Sequence, residues 1–291
     1  MGVGTRSRSS RAHTCVAMLS ALLALGLTAR PNWPTGIAVD PSVAPVRSVL
    51  LGAQGSAIVG ARELDSSLLM HVPEEDRIME AYVARAHAMA SASDDYDAVM
   101  EKAVAAQNSY WAQLWPSSVA LARLLLAKPA LVAGREVLEL GCGLGLASCA
   151  AALGGATAVV ATDREPDAVA FAAQNAEAND VAVSTRVLEW SVEPEEAPAC
   201  DVLLGSDVLY GPEAPALLAP LLRDCVRPGG VALLADPRDR PYRAAYLEEL
   251  LERDEVAGSF EVASRVREDV RLATKQGDEF CVELLELRRV R

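Results

Sequence analysis

Nine consecutive residues, Val137-Leu138-Glu139-Leu140-Gly141-Cys142-Gly143-Leu144-Gly145, join a short apolar run, a carboxylate and three alternate glycines. Glycine has no Cβ, so such a turn lets the backbone approach a ligand closely. The amides that open the following helix, near Leu146, point at whatever lies in the turn. The spacing is G-x-G-x-G; the dinucleotide fingerprint G-x-G-x-x-G would want its third glycine at position 146, which is Leu146. About twenty residues on, Asp163 ends a second apolar run, where a carboxylate can accept both ribose hydroxyls of an adenosine. Glu189-Trp190 ends a third run. Its ring can stack on an adenine or pack into the core, and the residues alone leave both open. After a fourth run comes Leu204-Gly205-Ser206-Asp207-Val208-Leu209-Tyr210. No histidine follows His87. A Ser-His-Asp or Cys-His nucleophile system is therefore excluded from the region that holds these motifs, as is a histidine-based metal site.

These residues need elements that carry them to one edge. Trp115-Pro116-Ser117 predicts a helix through about Ala127, since proline suits the first helical turn. Strands are expected at Glu136–Leu140, Ala158–Thr162, Ser184–Leu188, Asp201–Leu204 and Val231–Ala235, with a turn at Arg227-Pro228-Gly229-Gly230. Helices are expected after the glycine turn up to Gly154-Gly155, over Pro166–Ala178, over Glu213–Cys225 and over Pro241–Arg253. Phe260–Arg267 and Glu279–Leu287 read as two final strands. Alternating strands and helices imply an α/β fold, a doubly wound and mostly parallel Rossmann-like sheet of seven strands. Ligands bind such sheets at the carboxyl ends of the strands, where every motif above falls.

The glycine segment resembles the first motif of class I S-adenosylmethionine-dependent methyltransferases. Asp207 to Tyr210 resembles the D-x-x-Y motif of their protein-lysine methyltransferase branch, although Ser206 departs from the pattern. Tyr110-Trp111-Ala112-Gln113-Leu114-Trp115-Pro116 and Asp236-Pro237 resemble the same branch, and in particular members that methylate electron-transfer flavoprotein. The resemblance covers about Ser109 to Cys281. It implies S-adenosyl-L-methionine as cofactor, held by Trp115, Glu139, Gly141, Gly143, Asp163, Trp190 and Ser206. Glu139 would serve the ammonium end of the methionine moiety. Asp207 and Tyr210 would be catalytic, with Asp207 orienting a lysine amine or contacting only the cofactor, and no metal is required. A lysine amine has a reference pKa of about 10.4, so a dry aromatic slot that lowers it by desolvation helps form the nucleophile. A small-molecule N-methyltransferase and a non-catalytic nucleotide-binding module of the same fold remain as alternatives.

Composition bounds the rest. Hydrophobic residues make up 51% of the chain and aromatics 4%, so the core must be built from Ala, Val and Leu. A formal net charge of -13 argues against general nucleic-acid binding and is compatible with a basic protein partner. The six cysteines contain no C-x-x-C pair and have no neighbouring histidine, which suggests a reducing compartment without a disulfide framework. Residues 1–40 carry Arg6, Arg8, Arg11 and Arg30, an apolar run from Cys15 to Leu27 and no acidic residue before Asp40. They read as a targeting segment, for a plastid ahead of a mitochondrion, with a cytoplasmic protein as the alternative. The apolar run is short for a bilayer, so no stable membrane insertion is expected after processing. Residues 41–108 read as a linker or loose strand to about Ser66 and then a helical preface from Pro73, broken at Ser91-Ala92-Ser93-Asp94. The preface suits either a target or a second copy of the chain. The methyltransferase-like domain is expected at 109–291.

Overall fold

The computed structural model describes residues 46–50, 67–105, 109–190, 197–271 and 279–290. The basic amino-terminal segment, Cys15 included, lies outside them. Two compact units emerge. One contains residues 74–109; the other joins residues 40–73 to 110–291. The segment expected as linker and preface is thus divided between them.

The first unit holds helices α1 (Glu75–Ser91) and α2 (Tyr96–Ala105). The break falls where the sequence placed it. Asp95 Oδ1 accepts from the Ala98 amide at 3.1 Å, a cap that starts α2. His87 Nδ1 and the Tyr96 hydroxyl tie the two helices together.

The second unit begins with an antiparallel pair, β1 (Val46–Leu50) and β2 (Ser67–His71). β2 was not expected from local pattern. Its outer edge is completed by a helix rather than by another strand. On α5 (Pro166–Ala178), Asn175 Oδ1 accepts from the His71 amide at 2.5 Å and Nδ2 donates to the His71 carbonyl at 3.3 Å. Asn179, just past the helix, makes the equivalent pair with Leu69, at 2.8 and 2.7 Å. A carboxamide has the donor and acceptor of a peptide. Side chains four apart on a helix repeat at about 6 Å, close to the two-residue step of a strand.

The main sheet has the strands β3 (Glu136–Leu140), β4 (Ala158–Asp163), β5 (Ser184–Val187), β6 (Cys200–Ser206), β7 (Val226–Pro237), β8 (Phe260–Arg271) and β9 (Glu279–Arg289). Their order is β5-β4-β3-β6-β7-β9-β8. The first five run parallel; β9 is antiparallel to both β7 and β8. This is the expected mostly parallel seven-stranded sheet. Its helices are α3 (Pro116–Ala127), α4 (Leu146–Leu153), α5, α6 (Ala214–Cys225) and α7 (Arg243–Glu252). The main core, around Leu138, Leu140, Leu203, Leu218, Leu222 and Leu234, is aliphatic, as the scarcity of aromatics required. Among the described residues, no helix is long and apolar enough to cross a membrane.

One expectation is corrected. Arg227-Pro228-Gly229-Gly230 is not a turn before a strand. β7 starts at Val226, and these residues form an irregularity inside it: Cys200 pairs with Val226 but Val202 with Val231. Gly229 takes φ +81, which accommodates the extra residues. Arg227 uses the bulge to reach Glu136 at 2.5 Å and Asp201 at 3.0 Å, linking the starts of β3, β6 and β7. That stitching lies at the end of the sheet opposite the motifs.

Candidate functional site

The strand order reverses between β3 and β6, and the glycine turn leaves β3 there. β3 ends at Leu140, and the turn runs through Gly141, Gly143 and Gly145, all with positive φ, into α4. Two of these positions are crowded as well. A Cβ at Gly143 would lie 3.0 Å from the Trp111 carbonyl oxygen, and one at Gly145 would lie 2.8 Å from the Ala172 Cβ. The Trp111 segment therefore lies over the turn. Its indole packs against buried Phe171, with ring centroids 5.3 Å apart.

Glu139 is fully buried. Its Oε2 accepts from the Ser148 amide at 2.9 Å and from the Ser148 hydroxyl. The carboxylate thus braces the first turn of α4, where negative charge is favoured. Oε1 is buried without a hydrogen-bond partner. Burial raises the Glu139 carboxyl from its ordinary 4.5 to about 7, against the pull of the Ser148 bonds. Thr162, on β4, donates its hydroxyl to the Glu139 carbonyl at 2.6 Å. Next on β4, Asp163 accepts from the Gly143 amide at 3.0 Å and from the Glu165 amide at 2.9 Å. Asn175 donates to the Leu144 carbonyl at 2.9 Å and so holds the turn from the helix side.

Trp190 packs against the main core while its Cζ2 edge lies 3.5 Å from where a Gly141 Cβ would be. On the other flank Val208 Cγ1 lies 3.7 Å from that point. The segments that follow β5 and β6 therefore converge on Gly141. Ser206 is the last residue of β6, in register with Ala235, and is half-buried. Tyr210 is exposed, with 47% of its surface free.

Asp207 takes φ +56, uncommon for a residue with a side chain, and its amide donates to the Ala235 carbonyl at 2.8 Å. Its carboxylate is 8% exposed and pairs with Arg240 at 2.5 Å. Burial pushes the Asp207 carboxyl up, and the Arg240 charge opposes it. The Arg240 guanidinium also sits 5.9 Å from the Trp115 ring centroid. Trp115 is fixed in turn: its Nε1 donates to the Tyr110 carbonyl at 2.8 Å.

The fold thus gathers the singled-out residues at one edge in two groups. Glu139, Gly141, Gly143, Asp163 and Trp190 surround the glycine turn, and beside it Arg240 links Asp207 to Trp115; Ser206 and Tyr210 join neither group. Sequence reasoning missed Arg240, Asn175 and Ser148, and it left Asp236 as half of a dipeptide without a role. Asp236 is fully buried, accepts from the Leu209 amide at 3.1 Å, and is raised to about 7 by burial and by Asp207. A usable signal existed for Asp236 and Arg240, because Asp236 is the penultimate residue of β7 and Arg240 lies in the connection that follows, at a strand's carboxyl end.

A doubly wound sheet with a glycine turn at the switch point, an acidic residue closing the second parallel strand and an aspartate following the fourth defines a nucleotide-type site on a methyltransferase-like fold. A family model described as lysine methyltransferase matches residues 97–253. The chain belongs to that family. Over 129 residues it is 39% identical to the electron transfer flavoprotein beta subunit lysine methyltransferase of Danio rerio and 40% identical to that of Xenopus laevis. Those stretches are 44% of this chain and 50% and 52% of the relatives, so the chain spans about half the length of the curated relatives it matches. A crystal structure from Pyrococcus horikoshii, assigned as an RNA methyltransferase, superposes with a TM-score of 0.51 at 16% identity. It covers 64% of this chain and 91% of that one, which speaks for the shared fold alone.

Proposed function

We propose that this chain transfers the methyl group of S-adenosylmethionine to a lysine side chain of a protein. The observation that carries the reading is the buried, unpaired Oε1 of Glu139 beside a turn whose Gly143 amide already meets Asp163. A cofactor with an ammonium at one end and a ribose diol towards the other suits that donor and acceptor set. Glu139 would hold the ammonium, Asp163 the ribose, and Trp190 would border the adenine. The bound cofactor supplies a sulfonium methyl: the acceptor nitrogen forms a C–N bond as the C–S bond breaks, and the sulfur keeps the electron pair as a thioether. Asp207 orients the incoming ammonium and Tyr210 borders its path; the ammonium releases one proton to solvent before its nitrogen attacks, a loss that partial desolvation favours and the Asp207 charge opposes. The family and the printed names of its relatives support a lysine acceptor. The acidic balance of the chain suits a basic protein target. The basic, acid-free start supports delivery to an organelle, a plastid ahead of a mitochondrion.

The test is calorimetric binding of S-adenosylmethionine to the full chain, with Asp163→Ala alongside, followed by transfer of labelled methyl groups to proteins of an organelle extract. Binding that weakens at least tenfold in the variant, with label on lysine, supports the reading. Well-folded protein that binds no cofactor sinks it.

A further inference from the structure

Resting on that reading, we infer that the place Arg240 fills, between the Asp207 carboxylate and the Trp115 ring, is the subsite of the acceptor ammonium. Arg240 is its resident stand-in, displaced when a cationic side chain of the substrate enters.

The fit of Arg240 is the first argument. A guanidinium offers five donors in a planar fork and pairs best with both oxygens of a carboxylate. Here one nitrogen, Nη2, meets one oxygen, Oδ1. The other end of the fork, Nη1, is buried with no hydrogen-bond partner. The Asp207 carboxylate, 8% exposed, and the face of Trp115 supply what a compact point charge wants: one anion and one π surface. The second argument is how rigid the walls are. The Trp115 ring is held by its bond to the Tyr110 carbonyl and by an edge contact with the Tyr110 ring, centroids 6.1 Å apart. The Asp207 backbone is fixed in its positive-φ conformation by Ala235, the kind of local strain that persists at functional positions.

The third argument is the contrast with Arg243. That side chain springs from α7, is 5% exposed and is fixed to Glu283 at 2.8 Å; its Nε and Nη2 are buried without partners as well, so what separates the two arginines is exposure and the element each springs from, not the unpaired nitrogen. Arg240 springs from the connection before α7 and is 22% exposed. One arginine is built in; the other can leave. Exchange of one cation for another never leaves Asp207 buried and unpaired, which would be costly. The slot therefore selects a cationic acceptor at entry, and neutral amides or alcohols would have to displace Arg240 without replacing its charge.

The experiment is titration of the full chain with n-butylammonium chloride, at ionic strength matched with sodium chloride, read by tryptophan fluorescence and by thermal shift. n-Butanol serves as the uncharged control. The wild type, Arg240→Ala, Arg240→Gln and the double variant Arg240→Ala with Asp207→Asn are compared. The expected result is at least tenfold tighter n-butylammonium binding by Arg240→Ala than by the wild type, lost in the double variant and absent with n-butanol. Arg240→Gln, which keeps most of the side-chain volume, gives the same comparison if the alanine variant does not fold. Equal binding by the wild type and the folded single variant overturns the inference, as does a gain that survives removal of the Asp207 charge. S-adenosylmethionine binding is measured on the same wild-type protein. Its absence condemns the methyl-transfer reading while the ammonium titration still judges the slot; its presence with equal titrations condemns the slot alone.

Discussion

Replacement of Glu139 by glutamine separates what this residue costs the fold from what it does for a ligand. Glu139 Oε2 accepts both Ser148 bonds, and a glutamine carbonyl can accept the same two. What the substitution removes is the buried charge. Burial raises the carboxyl from 4.5 to about 7. A folded value above the unfolded one means that the native state binds the proton more tightly. Its penalty is then absent below about pH 4.5, grows as the pH rises and is complete above about pH 7. The gap between 4.5 and about 7, at roughly 1.4 kcal/mol per pH unit, sets a ceiling of about 3 kcal/mol. Glu139→Gln is therefore expected to match the wild type near pH 4.5 and to exceed its stability by up to about 3 kcal/mol at pH 8. Urea unfolding of both proteins across that range is the assay; Asp236 is present in both, so its own titration cancels in the difference. S-adenosylmethionine binding should move the other way, weakening at least tenfold as the acceptor Oε1 gives place to a donor. A stability difference that does not grow with pH, or a variant that is less stable at pH 8, would refute the burial argument. Unchanged cofactor binding would refute the ligand role.

Gly145→Ala should cost about 3 kcal/mol in urea unfolding, because a Cβ there meets Ala172 at 2.8 Å in a left-handed backbone conformation. Asn175→Ala should cost about 2 kcal/mol or more and weaken cofactor binding in the same titration, since it strips partners from His71 and from the Leu144 carbonyl of the glycine turn. Arg227→Met should leave the urea midpoint almost unchanged despite two ion pairs, because all three side chains are well exposed, and any loss should shrink further when salt screens the charges.

The parallel half of the fold was legible because its strands, apart from the polar edge strand β5, are short apolar runs closed by a polar residue or glycine, and its helices have a proline or glycine at an end. Pro116 and Pro166 open helices where expected, and β3 has the expected bounds. Local pattern failed where geometry depends on a distant partner. The bulge at Gly229 and Gly230 contains the residues of a turn, and only the pairing of β7 with β6 makes it strand. Ser67–His71 is no shorter than β3 but has no glycine turn after it to mark it as a strand, and its edge is completed by amides more than a hundred residues away. At the site, Glu139, Asp163 and Asp207 stood out because strand ends fix their direction. Arg240 did not, because its place opposite Asp207 is set by a connection whose path no periodicity records.

The paired amides of Asn175 and Asn179 also decide where this molecule can be cut. Similarity to the family begins at residue 97, well after β2. A fragment trimmed to that edge would keep the glycine turn and lose the peptide groups of Leu69 and His71, leaving two carboxamides facing solvent and the Leu144 carbonyl held by a side chain with no second anchor. The span that family similarity outlines and the span that folds have different borders, and expression of the unit that holds the glycine turn should start ahead of Ser67.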